Sequence, residues 1–239
     1  MNVEVRHNPA FAVARVTLEP NEQIRAESGA MMATSGGVQI ESSTQGGVLK
    51  GLKRSVLGGE SLFISTFTAP GAGGWVDVAH HLSGDIVVAG VLPDQPMNIT
   101  RGCWLANSTG IELDTKWAGF KSAFGSEGGF MVRAEGSGTI VMACYGAIDT
   151  ITLQPGEQIT INTGHVVAYS PSVEFELRKA TVGVVQMLKS GEGLVFDFTG
   201  PGWVMTQSRN PSALEAWIRS IMPGQTGGAS SGIGSLFGS

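Results

Sequence analysis

Along most of this chain apolar residues return at every second position in short runs, and glycine or proline bounds each run. "LFISTF" (62–67), "FMVRA" (130–134) and "LVFDF" (194–198) are examples. A period of two predicts strands with one face buried, and glycine supplies the positive-φ positions that tight turns need.

The runs recur as a set. "LEPNEQI" (Leu18–Ile24) returns as "LQPGEQI" (Leu153–Ile159), an offset of 153 − 18 = 135. At that offset Gly29 meets Gly164, Ala33 meets Ala168 and Ser35 meets Ser170. A third copy lies between them, 73 residues from the first: Met97, Gly102, Ala106, Ser108, Ile111 and Leu113 match Ile24, Gly29, Ala33, Ser35, Val38 and Ile40. A second landmark comes three times as well. Glu60 follows Gly58-Gly59, Glu127 follows Gly125-Ser126 and Glu192 follows Ser190-Gly191, each just before an apolar strand. The pattern predicts an all-β protein of three similar antiparallel units, about 1–92, 93–150 and 151–210, in one body over 1–225.

One segment has helical spacing. "NPSALEAWIRSIMPG" places Leu214, Trp217, Ile218 and Ile221 at i, i+3, i+4 and i+7, which predicts a helix over 211–222. Asn210 or Ser212 caps it, Pro211 suits its first turn, and Pro223-Gly224 stops it. Residues 226–239 form a Gly/Ser-rich tail, flexible by composition, whose Leu236-Phe237 pair is apolar.

Composition narrows the function classes. Charged residues are only 15% of the 239 and the net charge is −5. A general nucleic-acid binder needs many Lys/Arg–phosphate contacts, so none is expected. Low charge with 35 glycines fits many tight turns between strands, or large surfaces buried against a partner. Cys103 and Cys144 form no C-x-x-C pair and read as small buried hydrophobes of a reducing compartment. No apolar leader and no 20-residue apolar run is seen, so the expected location is cytoplasmic.

"LKRSVLGGESLFISTF" (Leu52–Phe67), the threefold repeat, "GPGWVMTQSR" (200–209) and the Gly-rich C-terminus together resemble the altered-inheritance-of-mitochondria family, which has many bacterial members. The resemblance implies a fold like the tryptophan RNA-binding attenuation protein, built of β-sandwich units of double-stranded β-helix type, and a homotrimer. It links mitochondrial members to inner-membrane organisation and supplies no catalytic residues. RNA binding does not follow: no basic residue repeats beside Phe63, Val132 and Phe196 to combine base stacking with backbone contact.

Candidate sites are few. Val48, Leu49, Leu52 and Val56 can share one helical face, with Lys50, Lys53 and Arg54 away from it. This segment is read as a connector packed on the β-body or as a foot on anionic lipid at the inner face of the membrane, helped by Leu236 and Phe237. Gly58-Gly59-Glu60 lacks the G-K-[ST] of a phosphate loop, so Glu60, Glu127 and Glu192 are read as turn acceptors. His80-His81 with Asp85 suggests a metal site, yet adjacent strand residues point to opposite faces. No catalytic, cofactor or metal residue is assigned. The expected function is a non-enzymatic oligomeric binding or scaffold protein; the alternative is a small-molecule or metal enzyme of double-stranded β-helix type.

Overall fold

The structure, a computed structural model, describes residues 1–44, 63–114, 131–180 and 193–222. Among these, nineteen strands precede a single α-helix, α1 (Pro211–Ile221). After β1 (Asn2–Arg6) the strands repeat in sixes. The first unit is β2 (Val13–Leu18), β3 (Gln23–Glu27), β4 (Met31–Thr34), β5 (Gln39–Thr44), β6 (Phe63–Thr68) and β7 (Gly74–Ala79). The second is β8 (Ile86–Val91), β9 (Met97–Thr100), β10 (Trp104–Ser108), β11 (Ile111–Asp114), β12 (Met131–Gly136) and β13 (Gly138–Ala143). The third is β14 (Ile148–Leu153), β15 (Gln158–Asn162), β16 (Val166–Tyr169), β17 (Glu174–Lys179), β18 (Leu194–Thr199) and β19 (Gly202–Gln207).

The units open at Val13, Ile86 and Ile148, so the boundary expected near 92 falls before Ile86, while the one expected near 150 falls within about three residues of its place. The repeated "L-x-P-x-E-Q-I" segment joins the first strand of a unit to its second, so counting from it leaves β8 and half of β14 in the wrong unit. Pairing settles the matter: β8 runs against β13 and β14 against β19, as β2 runs against β7.

Every paired strand is antiparallel, in four sheets with orders β1-β2-β7-β4, β5-β6-β3-β10-β13-β8, β11-β12-β9-β16-β19-β14 and β15-β18-β17. Each unit is a sandwich of two three-stranded halves. The two six-stranded sheets arise because the second strand of one unit pairs with the third strand of the next, β3 with β10 and β9 with β16. Three cores lie between successive sheets: Val16, Val76 and Ile24 in the first, Trp104, Ile140 and Ile99 in the second, Tyr169, Phe196 and Phe198 in the third. Each buried Phe or Ile contributes about 1.5–3 kcal/mol. The strand "VARVTL" shows why it forms: Ala14, Val16 and Leu18 are buried on one side, while Arg15 and Thr17 face outward.

The turns repeat too. Glu22 accepts the Glu19 amide hydrogen at 2.8 Å, and Glu157 accepts that of Gln154 at 2.8 Å. Asn21 and Gly156, at matching positions, hold φ of +61° and +78°. In α1, Asn210 is the cap: its side chain accepts the Ser212 amide hydrogen at 2.9 Å.

Candidate functional site

Lys50, Lys53, Arg54, Gly58, Gly59, Glu60, Glu127, Glu192, Leu236 and Phe237 all lie outside the described residues. The described residues bring other features forward.

His80 and His81 follow the end of β7, where the chain is no longer extended, and their rings sit 4.1 Å apart. Opposite strand faces therefore do not apply to them. His80 is nonetheless held for structure. Its Nε2 lies 3.0 Å from the Gly102 carbonyl and so donates, while Nδ1 accepts the Leu82 amide hydrogen at 3.3 Å. Burial and the neighbouring His81 hold its pKa below the usual value, which favours this neutral form. Among the described residues no three His, Cys, Asp or Glu side chains converge for a metal ion. Cys103 and Cys144 are free and buried, as expected. An open cavity of about 680 Å³ is lined by Asp94, Met97, Arg133, Ser170 and Trp203. Its cation is already engaged, Arg133 Nε donating to Glu135 at 2.6 Å.

The outward face of the first sheet carries an ion cluster. Arg15 grips Asp77 with two hydrogen bonds of 2.8 Å, and Arg6 adds a third of 2.8 Å. Asp77 is buried and its pKa is held low, chiefly by Arg15 and then by Arg6, against the cost of burial. Arg15 also stacks over Trp75, 3.9 Å from the ring centre. Trp75 and Trp203 take matching places as second residues of β7 and β19.

The most distinctive surface is a pair of sheet edges. Inside the chain every third strand of a unit meets the second strand of the unit before it. Among the described residues two such partners are left over: β4 ends the first sheet and β15 ends the last. Their side chains are under-covered for their positions. Met31 and Met32 of β4 are 42% and 56% exposed. The residues that match them at offsets of 73 and 135, Trp104 with Leu105 and Val166 with Val167, are all 0% exposed. On β15, Ile159 and Ile161 are half-buried, whereas the matching Ile24, Ala26, Met97 and Ile99 are buried. At the end of β15, Asn210 donates to the Asn162 side chain at 3.4 Å, which roots α1 beside that edge. The helix leaves Trp217, Ile218, Ile221 and Met222 exposed. The helix stripe and the repeat are legible in the sequence, but neither states which strand lacks a neighbour. The apolar character of Met31 and Met32 was the available signal, and it is identical in kind to that of Trp104 and Leu105.

The profile of the family described as "Mitochondrial biogenesis AIM24" matches residues 3–209, all three units. The chain belongs to that family. An uncharacterised family relative from Streptococcus pyogenes serotype M6 is 28% identical over 232 residues, 93% of this chain and 92% of that protein. A crystal structure of a Streptococcus pyogenes protein superposes with a TM-score of 0.77 at 27% identity, covering 92% of this chain and 99% of that one. The all-β architecture is thus shared with an experimentally determined relative. Among the described residues no helix is long and apolar enough to cross a membrane.

Proposed function

We propose that this protein is a non-enzymatic, homo-oligomeric binding scaffold. One observation carries the reading: the strands β4 and β15 are the two halves of a joint that, among the described residues, is used twice internally and left open at the two ends. Exposed edges are ordinarily blunted by charge or proline. Here β4 carries two exposed methionines and β15 two half-covered isoleucines. The pair is heterologous, so repeated association either closes a ring or runs on as a filament. A closed assembly of three copies, the state implied by the family resemblance, pairs every β4 with a β15.

Light scattering at micromolar concentration tests this. A discrete particle of several chains is the expected result; a monomer overturns it. A peripheral membrane contact through Lys50, Lys53 and Arg54 rests on the sequence pattern. It requires salt-sensitive flotation with anionic vesicles that the triple alanine variant loses.

A further inference from the structure

We infer that a second copy of this chain docks with its β4 against β15 in one defined register, and that α1 forms a flap over the joint, its apolar face covering Met31 and Met32 of that copy. This rests on the oligomeric reading above and specifies its contact.

The register comes from the two internal joints. Across β3 and β10, Ala26 lies opposite Ala106 and Arg25 opposite Asn107. Across β9 and β16, Ile99 lies opposite Ala168 and Asn98 opposite Tyr169. At the repeat offsets these are the same two positions: 26 and 33 become 99 and 106, then 161 and 168. The remaining strands therefore pair with Ala33 opposite Ile161 and Thr34 opposite Thr160. The outer-strand geometry is already in place. A bulge falls between Met31 and Ala33 as it does between Trp104 and Ala106 and between Val166 and Ala168. The edge of β4 is shaped like the two edges that are occupied. A slip of one residue would turn Ile159 and Ile161 to the opposite face, so the apolar pattern selects this register.

The flap follows from where α1 is rooted. With Ala33 opposite Ile161, Met31 and Met32 run past the Asn162 end of β15. That is where Asn210, the cap of α1, is fastened to Asn162. The stripe of Trp217 (59% exposed), Ile218 and Ile221 (60% exposed) is uncovered in the single chain, as are the two methionines. The residues equivalent to the two methionines inside the chain are buried, Leu105 and Val167 in the core of the preceding unit. The two uncovered apolar groups thus stand at the same end of the same joint, and each lacks what the other supplies.

Two full-length variants test the register. Thr34→Cys and Thr160→Cys chains are mixed and oxidised, so that only a contact between chains can form the bridge. Opposite residues of an antiparallel pair lie about 4.5–5.5 Å apart at Cα, inside the range of about 4.4–6.8 Å that a disulfide spans. A covalent dimer is expected from the mixture and not from either variant alone; a Thr66→Cys partner in place of Thr160→Cys serves as control. The flap is tested with Trp217→Ser/Ile221→Ser. Both residues are exposed in the single chain, so circular dichroism of the β-body is expected to be unchanged. The dissociation constant is expected to rise at least tenfold, and hydroxyl-radical labelling of Met31 and Met32 to rise with it. A monomeric wild type overturns the oligomeric reading itself. An oligomer whose Thr34→Cys and Thr160→Cys chains form no bridge with each other overturns the register. An oligomer with an unchanged constant and unchanged methionine labelling in the double variant overturns the flap. A blue shift of Trp217 fluorescence on vesicles of anionic lipid, without effect on assembly, would assign the stripe to a membrane instead.

Discussion

The hydroxyl of Ser170 accepts the backbone amide hydrogen of Trp203 at 3.1 Å. The same bond joins Ser108 to Thr139 at 3.0 Å and Ser35 to Trp75 at 3.0 Å. Each serine closes a turn and fixes the first bond of the last strand in its unit. Beside each stands a glycine. A Cβ on Gly74 would come to 2.7 Å from Ser35 Oγ, and one on Gly138 or Gly202 would collide with Ser108 or Ser170. Gly138 and Gly202 also hold φ of +154° and +151°. Gly202→Ala should therefore cost roughly 1–3 kcal/mol through strain and crowding. Ser170→Ala, which orphans a backbone donor, should cost about 1–2 kcal/mol. Gly90, with open space around it, is the control and Gly90→Ala should be nearly neutral. Urea denaturation of the three variants checks the ordering.

Asp77 gives a pH prediction. Its folded pKa lies below the usual carboxylate value because Arg15, then Arg6, hold the charged form. A depressed carboxylate stabilises the fold fully above its unfolded pKa, about 3.9, and the contribution is lost as pH falls through the folded value. Wild type should exceed Asp77→Asn in stability by a constant margin from about pH 6 to 8. The margin should shrink below about pH 4. A gap that widens on acidification would refute the assignment.

Glu27 behaves in the opposite sense. Burial pushes its pKa up, and the opposing pull of Arg101 does not cancel that. The folded state then binds a proton more tightly than the unfolded chain, so stability rises as pH falls through the folded value. Glu27→Gln should melt at a higher temperature than wild type at about pH 7, and the difference should fade toward about pH 4.3, the ordinary glutamate value. Paired thermal melts at the two pH values decide it.

Both thiols should be inert in the native protein. Burial pushes Cys103 up to about 12 and Cys144 up to about 11. At about pH 8 the thiolate fraction of each is small and neither is accessible. A chromogenic disulfide reagent should release two equivalents in denaturant and almost none within minutes without it. Fast native labelling of either thiol would contradict the packing.

Much of the architecture was legible in the residues. The offsets of 73 and 135 identify matching positions that the structure places on matching strands, and Pro211 with Asn210 marks the helix start to the residue. The boundary expected near 92 was displaced because the most recognisable words of the repeat sit at a turn within a unit. The joints between units were not legible. Periodicity states which face of a strand is apolar, but β3 with β10 and β9 with β16 are pairings of edges, and an edge has no periodic signature. The cluster of Arg6, Arg15 and Asp77 was hidden for another reason: its members lie 71 and 62 residues apart and carry no local pattern.

Joining three units in one polypeptide also changes how each can diverge. In a ring of identical short subunits a substitution appears at every position at once. Here the closing serine stays the same in all units, Ser35, Ser108 and Ser170, while the residue it secures is Trp75, Thr139 or Trp203. The scaffold is held constant by geometry and each sector of the surface drifts on its own. A recognition surface on such a molecule can be confined to a single sector, with the other two serving only to support it.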